Sequence, residues 1–513
     1  MINGLGNRLL VALAMAGGLG LAIFFGVIVG EGNMMLAGLG VVGLCGFAYG
    51  VFLNSRWISF SFFYACLGVN IKPVGPSLAP LHFTLLLLAV FWTANFWRKQ
   101  TASPREIQVR SHFSLFDGIF IFYTFYLIIQ AAFCMAYPNE SLEMAWGNLI
   151  KQYVSIWGTF AIVWLGLRMA RFAHVPRNIV QFCINSLIIG LLFNILIKIY
   201  ELYILGMGNP GEEVADKDSV ASFWIPVINL TPNWYVLRGL GPMGIALGTA
   251  VAAWPLNKAA HVRLTGIILV VLGFAGSLLS MGRAALLLGL LYAIIILILK
   301  RKAVQIVVVV GFGILSIFGA RVLYDFEPDW VPHGVQRSIA MIPGMDLPEA
   351  ARDIDNSSWW RKELAGRAIR EWQNSTRTVW IGRGVYAFTE GDITAYDLDP
   401  VWGALESSLK RGITHTLSTD LLVTTGVVGF VFYYLTLLAL LYGVLKLKRS
   451  LPDQKHPEGL LLVVLLVMNF IMLPLGFIAS GFFDIYSALF LLLVVVGVVA
   501  NPKREVDPEI RTS

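Results

Sequence analysis

Arg411-Gly412-Ile413-Thr414-His415-Thr416-Leu417-Ser418-Thr419-Asp420 closes the longest polar stretch of the chain and leads into an apolar span that begins at Leu421. A titratable imidazole at the mouth of an apolar span packs poorly and accepts protons well, so His415 is the first candidate for general-base chemistry. The plainer reading is an ordinary loop histidine. Asp420 either orients that imidazole, or binds a hydroxyl, or simply caps the start of the helix. Arg238, in Val236-Leu237-Arg238-Gly239-Leu240-Gly241-Pro242, opens another apolar span, and Arg283 lies in the turn Ser280-Met281-Gly282-Arg283-Ala284. A cation near mid-bilayer costs about 2.5–3.5 kcal/mol, so each arginine either snorkels to the interface or is kept to bind an anion. With Arg361 they make a set of guanidinium donors suited to a diphosphate. Asp484, a second acid at a helix start, has the same readings as Asp420.

The elements that must position these groups are membrane helices. The chain has 513 residues, 57% hydrophobic and 13% charged, which excludes an ordinary soluble globular protein. The net charge of +7 invites a nucleic-acid partner, but the basic residues sit in short loops beside helix ends, so no nucleic acid is expected. Cys45, Cys66, Cys134 and Cys183 all fall in apolar runs without metal-ligand spacing and read as buried small hydrophobes. No phosphate-binding glycine loop followed by lysine and no histidine pair on one helix face is present. ATP-driven chemistry, a bound metal and other cofactors are therefore not expected.

Runs long enough to cross about 30 Å of hydrocarbon number roughly fourteen. The predicted architecture is all-α: a polytopic integral membrane bundle with one large loop that contains an amphipathic helix. The first run, near 9–30, reads as a retained helix rather than a cleaved leader. Four regions divide the chain: N-terminal spans over 1–235, spans carrying the arginine motifs over 236–324, the large loop over 325–416, and C-terminal spans with a tail over 417–513. Basic clusters such as Lys300-Arg301-Lys302 and Lys446-Leu447-Lys448-Arg449 fall in alternate loops and predict both termini in the cytoplasm. The large loop and a shorter one near 207–235 then lie on the other side, with His82, His333 and His415. Within the large loop, Ser357 and Ser358 read as caps of an amphipathic helix through Trp359, Trp360, Leu364, Ala368, Ile369 and Trp372, lying on the membrane surface or on the bundle. Ile381-Gly382-Arg383-Gly384 reads as a turn whose backbone could approach a sugar or phosphate closely. Gly241, Gly244 and Gly248 read as helix-packing residues.

Four of these segments, in this order, resemble the bacterial O-antigen ligase and O-antigen polymerase superfamily of polytopic glycosyltransferases. They are Arg238-Gly239-Leu240-Gly241-Pro242 opening a span, Ser280-Met281-Gly282-Arg283-Ala284-Ala285-Leu286 before a leucine-rich helix, Ser358-Trp359-Trp360-Arg361 leading to Ile381-Gly382-Arg383-Gly384, and His415-Thr416-Leu417 leading to Gly426-Val427-Val428-Gly429-Phe430. The likeness covers the C-terminal half. Thr416 stands where the family often has asparagine, and Gly282 where it has serine.

The resemblance implies a metal-independent, inverting glycosyltransferase of the bacterial inner membrane, with its active site in the periplasm. The donor would be an undecaprenyl-diphosphate-linked glycan. His415 would be the base, Arg238, Arg283 and Arg361 would hold the diphosphate, and Asp420 and Asp484 would support them. The acceptor would be a second lipid-linked glycan repeat for a polymerase of O-antigen or exopolysaccharide, or lipid A-core or a protein for a ligase, with other polysaccharide-assembly proteins as partners. A transporter of lipid-linked or small solutes is the competing class. It predicts internal symmetry and mid-membrane charges, whereas the charges here gather at span edges.

Overall fold

The computed structural model describes residues 56–71, parts of 81–92, 102–135, 142–200, 228–230, 233–253, 260–280, 283–328, 331, 333–340, 347–384, 416–451, 457–475 and 484–500. The runs near 9–30 and 34–53, and His82, lie outside these residues. The described part is a helical bundle. Its elements are α1 (Trp57–Leu67), β1 (Val69–Ile71), α2 (Pro104–His112), α3 (Ser114–Met135), α4 (Leu142–Met169), α5 (Ile179–Ile199), β2 (Ile228–Leu230), α6 (Asn233–Ala252), α7 (Ala260–Leu279), α8 (Arg283–Leu299) and α9 (Ala303–Phe326). There follow α10 (His333–Ile339), α11 (Pro348–Trp372), α12 (Thr376–Ile381), α13 (Leu417–Arg449), α14 (Pro457–Leu475) and α15 (Ile485–Ala500). Most of the predicted runs that fall within the described residues coincide with these helices to within a few residues. The all-α expectation needs one addition: β1 and β2 pair antiparallel, Val69 opposite Leu230.

Among the described residues five helices, α5, α9 and α13 among them, are long and apolar enough to cross a membrane. Hydrocarbon is the only solvent that suits their outer faces. On α9, Val304, Val307, Leu315 and Phe326 are each at least 70% exposed, an apolar surface that water would not tolerate. The chain is an integral membrane protein.

Two packing seams place the candidate site. In the first, α6 lies against α7 where glycine meets glycine: a Cβ on Gly248 would lie 2.6 Å from the Gly266 carbonyl, and one on Gly273 would lie 2.8 Å from that of Gly241. The packing reading of Gly241 and Gly248 holds. In the second, α3 runs antiparallel to α13. Gly443 admits the Phe113 ring, Tyr123 meets Tyr433 edge-on at 6.4 Å, and both rings pack on Phe160 of α4. Cys66 and Cys183 are buried and free. Cys45 and the Cys134 side chain lie outside the described residues.

The large loop is built onto the bundle. Its main helix, α11, begins at Pro348, so Ser357 and Ser358 are interior residues rather than caps. Proline is tolerated in the first helical turn because its missing N–H has no partner there. Trp360, Leu364, Ala368 and Trp372 pack with Val423 of α13, which settles the amphipathic helix on the bundle. A capping box on Ser375 and Thr378 starts α12, and Trp372 donates to the Val379 carbonyl at 3.1 Å, closing the α11–α12 corner. The short helix α10 packs Val335 and Ile339 beside Leu278 near the end of α7.

Candidate active site

The arginine at the start of α6 is tied to the turn that carries its sequence partner. Arg238 is exposed, and its Nε donates to the Ser280 carbonyl at 3.2 Å. Ser280 is anchored by its hydroxyl to the Ser277 carbonyl at 2.7 Å, and Arg283 opens α8 immediately beyond. The Arg283 side chain lies outside the described residues. Pro242 falls inside α6 and cannot donate to the Arg238 carbonyl, so the helix backbone is loosened beside this arginine.

Asp484 comes to the same end of the bundle through α15, because Gly239 lies against the Tyr486 ring at 2.9 Å for a notional Cβ. Its Oδ1 accepts from the Ser487 N–H at 2.8 Å, so it caps α15. Of its readings the cap is the one seen. Asp420 sits in the first turn of α13, where its charge suits the helix dipole, and its carbonyl accepts from the Thr424 hydroxyl.

Arg361 stands on the exposed side of α11. Glu363 binds Arg367 at 3.0 Å and Arg370 at 3.7 Å. Arg361 is two residues away and points elsewhere on the helix. Partial desolvation and the neighbouring positive charge of Arg337 on α10 lower its proton affinity. It remains a cation at neutral pH. Two cations brought together in this way form an environment that favours an anion. α10 packs on the end of α7 that carries Ser280, so the fold links Arg238, the Arg283 turn and Arg361 in one continuous region.

His415 lies outside the described residues. Thr416, the next residue, is the N-cap of α13. That helix is broken: Gly426 has φ 66° and ψ −176°, and residues 417–425 form a separate half-helix of about 13 Å. The break frees carbonyls that an unbroken helix would satisfy. They are taken up instead by the end of the large loop, with Arg383 N–H donating to Val423 O at 2.8 Å and Gly384 N–H to Thr424 O at 3.0 Å. Gly382, at φ 80°, lets this strand approach, since a Cβ there would lie 2.5 Å from Gly426 N. The glycine turn predicted to approach a sugar or phosphate thus approaches the broken helix.

Sequence reasoning missed the residues that complete the joint. Gln130 of α3 donates from Nε2 to the carbonyls of Ile381 and Thr424, both at 2.6 Å, and accepts from the Tyr153 hydroxyl at 3.0 Å. Tyr126 donates to the carbonyls of Thr425 and Ile381. The available signal was a lone amide in the apolar run Leu127-Ile128-Ile129-Gln130-Ala131-Ala132, where an unsatisfied polar group is costly.

α10 packs on the end of α7 and on α11, and α11 packs on Val423 of the half-helix, so the Arg238–Ser280 link, Arg361 and the half-helix that follows His415 lie along one run of packed elements. Compared with known families and curated proteins, the chain matches no protein-family model and no curated protein.

Proposed function

We propose that the protein is an inner-membrane glycosyltransferase that uses an undecaprenyl-diphosphate-linked glycan. Its chain crosses the membrane about fourteen times, both termini are cytoplasmic, and the end of the bundle that carries Arg238 and α11 faces the periplasm. An acceptor hydroxyl oxygen attacks the anomeric carbon. The bond from that carbon to the diphosphate oxygen breaks with inversion, the hydroxyl proton passes to His415, and undecaprenyl diphosphate leaves. Arg238, Arg283 and Arg361 bind the diphosphate and stabilise the charge that grows on it as the bond breaks. The acceptor is a second lipid-linked repeat, which makes the enzyme polymerase-like.

The observation that carries this reading is the hydrogen bond from Arg238 Nε to Ser280 O. It joins two arginine motifs far apart in sequence, at a bundle end that α10 and α11 extend to Arg361. A transporter would place its charges within a central pathway instead. The test is to delete the gene and identify the glycans left on the lipid carrier and on the cell surface. Single unpolymerised repeats are the expected result. Long chains stranded on the carrier would make the enzyme a ligase that uses lipid A-core or a protein acceptor, and unchanged glycans would overturn the proposal.

A further inference from the structure

The joint at Gly426 is held by side chains to which the transfer chemistry assigns no role. Gln130 is 1% exposed, and its primary amide has two N–H donors and a carbonyl acceptor, all engaged. The two carbonyls it binds belong to different segments. Thr424 O is in the last turn of the half-helix, and Ile381 O ends the loop helix α12. One amide therefore ties the large loop to the broken span, and Tyr126 repeats the tie one turn earlier on α3 through Thr425 O and Ile381 O.

The half-helix needs such a tie. At Gly426 the helical ladder is interrupted, so the orientation of residues 417–425 rests on other contacts: the Ser418–Tyr434 hydroxyl pair at 3.1 Å, the packing of Leu417, Leu421 and Val423, and the ties from α3 and the loop end. A rotation of about 10° there swings the far end of a rod of about 13 Å by about 2 Å. That far end is Thr416, the neighbour of His415. A displacement of about 1 Å at a reacting group can cost on the order of 100-fold in rate.

We propose that Gln130 and Tyr126 are positioning residues that set the direction of the half-helix and, through it, the placement of its Thr416 end for the transfer chemistry. The inference rests on the glycosyl-transfer reading above. It assigns a part in that reaction to α3, a helix outside the region of family resemblance.

The experiment pairs two readouts on the full-length protein in nanodiscs: hydrogen–deuterium exchange of peptides covering 381–384 and 417–426, and steady-state transfer from undecaprenyl-diphosphate-linked glycan. Gln130→Met and the milder Tyr126→Phe are compared with wild type; the second removes one hydroxyl and guards against a misfolded first variant. Exchange at both peptides is expected to speed up, kcat to fall roughly 10-fold to 100-fold in Gln130→Met and less in Tyr126→Phe, and KM for the donor to stay within about 3-fold. Unchanged exchange, or faster exchange with wild-type kcat, overturns the positioning role. If the wild-type protein forms no glycosidic bond, the reaction assignment fails, and the exchange arm alone then decides whether the two residues hold the joint.

Discussion

Replacing Gly426 by alanine should unsettle the protein more than any comparable change on a membrane helix. At φ 66° and ψ −176° the backbone occupies a region that is essentially reserved for glycine, and holding an L-residue there costs roughly 1–3 kcal/mol. The added methyl would also lie 2.5 Å from the Gly382 nitrogen. Relief requires residues 382–384 to move off the half-helix. That movement gives up the bonds from Arg383 and Gly384 to Val423 and Thr424, about 1 kcal/mol each. The expected loss is roughly 3–5 kcal/mol. Gly118 on α3 provides the control, because a Cβ there meets nothing within 4 Å and alanine is the better helix former. Gly118→Ala should be neutral or stabilising by up to about 1 kcal/mol. Both variants can be measured by reversible unfolding in mixed micelles. A Gly426→Ala protein within about 0.5 kcal/mol of wild type would refute the joint as described, since that is the scatter of inconsequential surface changes.

Asp484→Ala should cost about 0.5–2 kcal/mol through loss of the bond to Ser487 N–H, whereas Asp484→Asn keeps the cap. A fall in transfer rate with the asparagine alone would mark the carboxylate charge as part of the chemistry. His112, at the end of α2, has its pKa lowered by burial and secondarily by Lys446, so the unfolded chain binds its proton more readily. Stability should therefore fall as pH drops through about 6.5, the value of an unperturbed histidine, and level off below the folded pKa. His112→Gln should flatten that part of the pH–stability curve, and an unchanged slope would contradict the assignment. Arg168 pairs with Asp117 at 3.1 Å and stacks on Trp164 at 3.7 Å. A double-mutant cycle on Arg168 and Asp117 should return a coupling of about 1 kcal/mol, and no coupling would contradict the pairing.

The helices were legible where hydropathy alone decides them. The apolar runs read at 178–206, 304–324 and 418–445 begin within a residue of α5, α9 and α13, because burying the backbone in lipid leaves a helix as the way to satisfy it. The meeting of the Arg238 and Arg283 motifs was foreshadowed by their shared placement at span edges. The break at Gly426 was not legible. Hydropathy carries no information on φ, and Gly426-Val427-Val428-Gly429 reads only as part of a glycine-containing apolar span. The end of the loop was misread for a related reason. Gly382 and Gly384 do serve a close approach, but the surface approached is the protein's own backbone, which only the three-dimensional fold supplies. Ser357 and Ser358 were mistaken for caps because the stretch from Pro348 is too polar to declare a helix by its apolar stripe.

The central claim is that this end of the bundle transfers a glycan from a lipid diphosphate. Its most direct measurement incubates the purified protein with undecaprenyl-diphosphate-linked glycan and follows both products by mass spectrometry. Wild type should release undecaprenyl diphosphate as a new glycosidic bond forms, His415→Ala should lose turnover, and Arg283→Ala should lose both donor affinity and turnover. Lipid-linked glycan that stays intact with the wild-type protein, or that is consumed at the wild-type rate by both variants, would contradict the account.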